Sequence, residues 1–207
     1  MSGVSSPTLP IPTLQRPTLA ATLWPQDAAS RAARFAALTI GGTLALALSA
    51  KAQVPFYPVP MTLQTLVLLA LGAAYGARLA GATLLLYLAE GLAGLPVFAG
   101  AVAGPAYMMG PTGGYLLGFL VAAALVGWLA ERGWDRAALP LLGAMSLGHL
   151  VVFVFGFAWL AMLIGPDKAW SGGVAPFIAA TIVKTLLAWA VVTAAWRGVE
   201  ALRSQKP

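Results

Sequence analysis

Lys184 is the residue whose placement most demands a chemical reason. It stands in an apolar stretch between Val183 and Thr185, where a lysine costs about 2.5–3.5 kcal/mol on membrane-insertion scales. A partner should face it. An anionic ligand would serve, as would Glu90, the carboxylate set deepest in another apolar stretch; a lysine snorkelling to the interface is the third account. Thr62 and Gln64 open a predicted helix directly after Pro60. A helix N-terminus favours anions and acceptors, so these two side chains either add hydrogen bonds to a ligand or simply cap the helix. Tyr87 and Tyr115 offer an aromatic wall with a polar tip, or plain core. Ser146 and His149 lie three apart on one helix face. No Gly-x-Ser-x-Gly elbow or orienting carboxylate accompanies them, so satisfied core side chains are preferred over a serine hydrolase.

Composition closes off other chemistries. With no cysteine and one histidine, thiolate and His-cluster metal sites are excluded. No Gly-x-x-x-x-Gly-Lys-Ser/Thr occurs, so nucleotide-driven work must come from a partner, and no cofactor is expected. The net charge of +6 includes no basic run or stripe, which argues against nucleic acid. Hydrophobic residues make up 60% and charged residues 9%, against about 45–50% and about 25% in an ordinary soluble domain. The surface that such a chain can build faces a lipid bilayer.

The elements that must position these residues follow from hydropathy and from proline and glycine. Residues 1–30 carry Pro7, Pro10, Pro12, Pro17 and Pro25 among Ser and Thr and read as a flexible tail, with Trp24 suited to the membrane interface. The membrane domain spans 31–200, with a short tail at 201–207. Its predicted helices cover about 31–52, 61–75, 78–93, 114–130, 139–164 and 175–197. The second and third must be separate, since one helix from Met61 to Leu95 would run roughly 50 Å against a hydrocarbon core of about 30 Å. The fold class is all-α, a polytopic bundle of six transmembrane helices. Nine Lys and Arg fall on the side of the termini and two, Lys51 and Lys168, on the other, which places both termini in the cytoplasm.

Three loops then face outward: the short one at Gly165-Pro166-Asp167-Lys168, and two that are apolar and rich in Pro and Gly, Val54–Pro60 and Leu95–Gly114. Non-helical backbone of that kind either covers a cavity or forms compact interfacial connections. Ala33, Ala37, Gly41 and Ala45 recur every four residues along the first helix. That stripe lets another helix approach closely, from this chain or from another subunit.

Gln53-Val54-Pro55-Phe56-Tyr57-Pro58-Val59-Pro60-Met61-Thr62-Leu63-Gln64 resembles the first outer loop of the BioY proteins, biotin-specific substrate-binding components of energy-coupling factor transporters. Gly94-Leu95-Pro96-Val97-Phe98 and Gly110-Pro111-Thr112-Gly113-Gly114-Tyr115 resemble that family's second outer loop, and the likeness covers about residues 31–200. It implies biotin uptake across the cytoplasmic membrane without enzymatic activity. Biotin would bind on the outer side, with Phe56 of the first loop in the site, and be delivered with a transmembrane coupling subunit and two ATPase subunits. The stripe from Ala33 to Ala45 would be the docking face for the coupling subunit. The family pattern Pro-Phe-Ile-Pro-Gly-Asp-x-x-Lys reads here Pro176-Phe177-Ile178-Ala179-Ala180-Thr181-Ile182-Val183-Lys184. Thr181 thus stands where the family has an acid, one turn from Lys184, and Glu90 is the expected source of a replacement charge. The same architecture with another vitamin, such as thiamine or riboflavin, and a membrane scaffold without a small ligand are the competing readings.

Overall fold

Proline and glycine punctuate this chain more sharply than hydropathy does. The computed structural model describes residues 16–24 and 31–204. Among these, nine α-helices are separated by proline-rich or glycine-rich joints: α1 Leu19–Leu23, α2 Arg31–Lys51, α3 Gln64–Tyr75, α4 Ala77–Leu92, α5 Pro105–Met108, α6 Gly113–Glu131, α7 Ala138–Ile164, α8 Pro166–Gly173 and α9 Ile178–Ser204. Two 3-10 turns, Trp134–Arg136 and Ala175–Phe177, join α6 to α7 and α8 to α9. The protein is all-α, and α2, α6, α7 and the segment Pro166–Ser204 are each long and apolar enough to cross a membrane. At 12 residues α3 is apolar but shorter.

Helix α6 lies at the centre, packed against α3, α4 and, most extensively, α7. Glycine makes that crossing possible. A Cβ on Gly118 would stand 2.9 Å from Val152 Cα, and one on Gly114 would strike Trp159. The α3–α4 joint is similarly tight: Gly76 adopts φ +81°, Gly127 of α6 leaves room for it, and Glu131 accepts the Ala77 N–H at 3.0 Å. A carboxylate there complements the N-terminal dipole of α4.

Four expectations change. Met61 and Thr62 are not helical; they form β2, antiparallel to β1 (Gln53–Val54), with Gln53 opposite Thr62 and Val54 opposite Met61. Three prolines deny this segment helix, and its backbone groups pair across the hairpin instead. The connection carrying Asp167, expected as a loop, is the helix α8, with Pro166 in its first turn. The flexible tail of residues 1–30 lies partly outside the described residues, but 16–24 departs from it. Thr18 caps α1, Leu19 and Ala20 are buried, Arg16 N–H donates to Glu131 O at 2.7 Å and Arg136 donates to Pro17 O at 2.7 Å. Of the C-terminal tail at 201–207, residues through Ser204 continue α9.

Candidate functional site

The hairpin, the 93–112 connection and the α8–α9 joint converge at one end of the bundle. Two lysines tie them down. Lys51, closing α2, donates to Phe98 O at 2.8 Å and Gly100 O at 2.9 Å. Lys184, on α9, donates to Thr62 O at 3.2 Å. Beneath these segments lies a cavity of about 60 Å³, bounded by Thr62, Gln64 and Thr65 on the hairpin side, by Tyr115 and Phe119 of α6, by His149 and Phe153 of α7 and by Thr181 and Lys184 of α9.

Lys184 is 7% exposed and meets no carboxylate among the cavity-lining residues. Its ammonium has three N–H donors, and Thr62 O is its acceptor among the described residues. A chain of hydrogen bonds then leads outward from the cavity wall. Thr62 Oγ1 lies 3.2 Å from Gln64 Oε1, Gln64 Nε2 donates to the Tyr87 hydroxyl at 2.7 Å, and that hydroxyl donates to Val97 O at 3.0 Å. Gln64 and Tyr87 are both buried, so the amide orientation is set from behind. Tyr115 donates to Gly173 O at 2.7 Å, which ties α6 to the end of α8.

The structure brings Thr62, Gln64, Tyr115, Thr181 and Lys184 to one cavity. Tyr87 stands one layer behind, and Phe56 lies outside it in the hairpin, its ring 6.0 Å from that of Phe177. Glu90 does not join Lys184. It accepts a hydrogen bond from Thr43 of α2 at 3.2 Å, because α4 packs on α2 and α6 whereas α9 packs on α3 and α7. The carboxylate therefore cannot replace the missing acid at Thr181.

Sequence reasoning missed His149 and Thr65 as cavity residues. His149 is 4% exposed; its Nδ1 lies 2.9 Å from Thr185 Oγ1. His149 Nε2 and Thr65 Oγ1 are buried and without partners among the described residues. Buried polar atoms ordinarily find partners, so two unmatched ones on a cavity wall are places for a ligand's donor or acceptor. Only the cost of a lone histidine in an apolar helix could have pointed there. Ser146 is exposed on α7. Tyr107, from α5, completes the wall; burial pushes its hydroxyl above its ordinary value of 10.0, which keeps it a neutral donor.

Comparison with known proteins decides the family. The BioY family model matches residues 20–201. The chain belongs to the BioY family. A probable biotin transporter BioY of Pyrococcus horikoshii is 38% identical over 77% of this chain and 90% of its own length. The biotin transporter BioY2 of Lactococcus lactis is 36% identical over 72% and 82%. Among solved structures, the S-component for biotin from an ECF-type ABC transporter has the same fold, with a TM-score of 0.72 at 23% identity over 87% of this chain and 96% of that one. In this BioY chain the loops identified by resemblance are the ones that converge over the cavity.

Proposed function

We propose that this chain captures biotin at the outer face of the cytoplasmic membrane and hands it to an ATPase-driven coupling module. The observation that carries this reading is a buried lysine on a cavity wall without a carboxylate, in a family whose named relatives are biotin transporters. The valerate carboxylate pairs with Lys184, a charge-assisted bond worth about 1.5–3 kcal/mol. Tyr115, Phe119, Phe153 and Phe177 supply apolar and aromatic contacts for the fused rings. Gln64, Thr62, Thr65, Thr181 and His149 are the donors and acceptors available to the ureido group, with Tyr87 holding Gln64 and Phe56 closing the hairpin above. A cavity of about 60 Å³ has room for only a few water-sized groups, so biotin enters as the covering segments shift.

In this reading six helices, α2, α3, α4, α6, α7 and α9, cross the bilayer, both termini are cytoplasmic, and the two outer loops are the cover. The coupling subunit docks on Ala33, Ala37, Gly41 and Ala45. The first three are exposed, and a Cβ on Gly41 would meet nothing within 4 Å. The opposite face of α2, with Gly42 and Thr43, is buried against α4. Two ATPase subunits complete the assembly.

A biotin titration of the purified chain tests this, with Lys184→Ala alongside and thiamine and riboflavin as competitors. Saturable binding that Lys184→Ala weakens roughly 10- to 150-fold, and that neither competitor displaces, is expected. A folded, monodisperse sample without biotin binding would overturn it.

A further inference from the structure

At the end of the bundle opposite the biotin cavity lies a second cleft, of about 350 Å³, between α1, α2 and the α3–α4 joint. Arg31, Arg34 and Arg78 line it, and among the described residues its lining contains no Asp or Glu. Arg31 and Arg78 are exposed, so their charges meet water or headgroups at little cost. Arg34 is different. It is 7% exposed, and its Nε is buried without a hydrogen-bond partner among the described residues. A guanidinium is always charged and presents its N–H groups in a planar fork suited to phosphate. Leaving one such N–H unmatched at the wall of a cleft is costly unless an anion supplies the acceptor.

The rest of the lining favours an amphipathic occupant. Phe35, Leu38 and Leu79 share the lining with the arginines, and Phe35 is 46% exposed. Tyr75 closes the floor, its hydroxyl donating to Leu38 O at 3.1 Å. Three guanidiniums in one cleft with apolar side chains beside them match a phosphodiester with an acyl chain attached. Basic pockets between helices at the membrane surface recognise anionic headgroups in this way.

We propose that this arginine cleft is a phosphate-binding site whose occupant is the headgroup of an anionic phospholipid. Binding there fastens α1 and α2 to the α3–α4 joint. It uses none of the residues assigned to biotin.

The test uses the full chain, purified in detergent and delipidated. Phosphatidylglycerol, phosphatidylcholine with the same acyl chains, and inorganic phosphate are each titrated, with melting temperature and retained lipid as readouts. Wild type is compared with Arg34→Gln and with the double variant Arg31→Gln/Arg78→Gln. The double variant alters only exposed side chains and guards against failure of Arg34→Gln to fold. Phosphatidylglycerol should raise the melting temperature and phosphatidylcholine should not, and the double variant should hold phosphatidylglycerol roughly 30-fold more weakly. If inorganic phosphate alone protects equally and the same variants abolish this, the site stands and its source is a soluble anion. Equal response to the two lipids in wild type, or an undiminished preference in the double variant while it elutes as a single species, would overturn the proposal.

Discussion

Lys184 and Tyr87 act on the cavity in different ways, and substitutions separate them. The Lys184 ammonium is held in a buried place by a backbone carbonyl. A buried cation without an ion partner subtracts from stability. Lys184→Met keeps the volume and removes the charge, so its melting temperature should equal or exceed that of wild type while biotin affinity falls. A matched loss of both would mean that Lys184 is structural. Tyr87→Phe does the reverse. It strands Gln64 Nε2 and Val97 O, both matched among the described residues only through that hydroxyl, and should cost about 1–3 kcal/mol in stability with a smaller effect on affinity, measurable by comparing denaturation midpoints with titrations. The importance of Lys184 could be read from the sequence because charge inside an apolar run is conspicuous. His149 could not, because a lone histidine in an apolar helix has the same pattern whether it is satisfied core or cavity wall; only the unmatched Nε2 distinguishes the two. Glu90 pairs with Thr43 instead of Lys184 for a related reason: depth in an apolar stretch says nothing about which neighbouring helix the side chain faces.

The helices themselves were legible where proline or glycine ends them. α6 and α7 begin and end within a residue or so of the expected bounds, since Gly113, Glu131 and Gly165 mark real joints. The hairpin was not legible. Met61 and Thr62 are apolar enough to continue α3, and only pairing with Gln53 and Val54, remote from any local propensity, makes them a strand. α8 was hidden because eight residues with Asp167, Lys168 and Ser171 read as a polar loop. At this scale the α6–α7 crossing is the most sensitive element. Gly118→Val places two methyl groups where Val152 Cα already stands 2.9 Å from a single Cβ, and overpacking of this kind typically costs about 1–3 kcal/mol. The variant should lose thermal stability and biotin binding together. Gly41→Phe, whose side chain enters open space, should leave both intact and fail only in uptake with the coupling module, a combination that separates docking from folding.

The whole molecule has one heavily tied end, where the described N-terminal segment, the α3–α4 joint and the α6–α7 connection meet. Asp135 is buried there and accepts a hydrogen bond from Trp196 at 2.9 Å, while Arg136 lies 3.4 Å above the Trp196 ring. Burial raises the Asp135 carboxyl above its ordinary value of 3.8, against the opposing pull of Arg136. A raised carboxyl favours the protonated folded state, so its contribution is complete below pH 3.8 and declines as pH rises through the raised value. Asp135→Asn should therefore flatten the pH dependence of the melting temperature as pH rises above the ordinary carboxyl value of 3.8, and an unchanged slope would remove Asp135 from the account. The absence of cysteine also allows topology to be read directly. Ser204→Cys should be labelled by a membrane-impermeant thiol reagent only in inverted vesicles, and Ser171→Cys only in right-side-out cells.

Helix α2 carries the small-residue face on one flank and, at its far end, the lysine that holds the 93–112 connection through two carbonyls. With 21 residues it is a rod roughly 31 Å long. A tilt of roughly 10° about its Arg31 end would swing Lys51 by roughly 5 Å, more than the length of the two hydrogen bonds it makes. Leverage applied along the side of this helix is therefore delivered, magnified, to the mouth of the cavity.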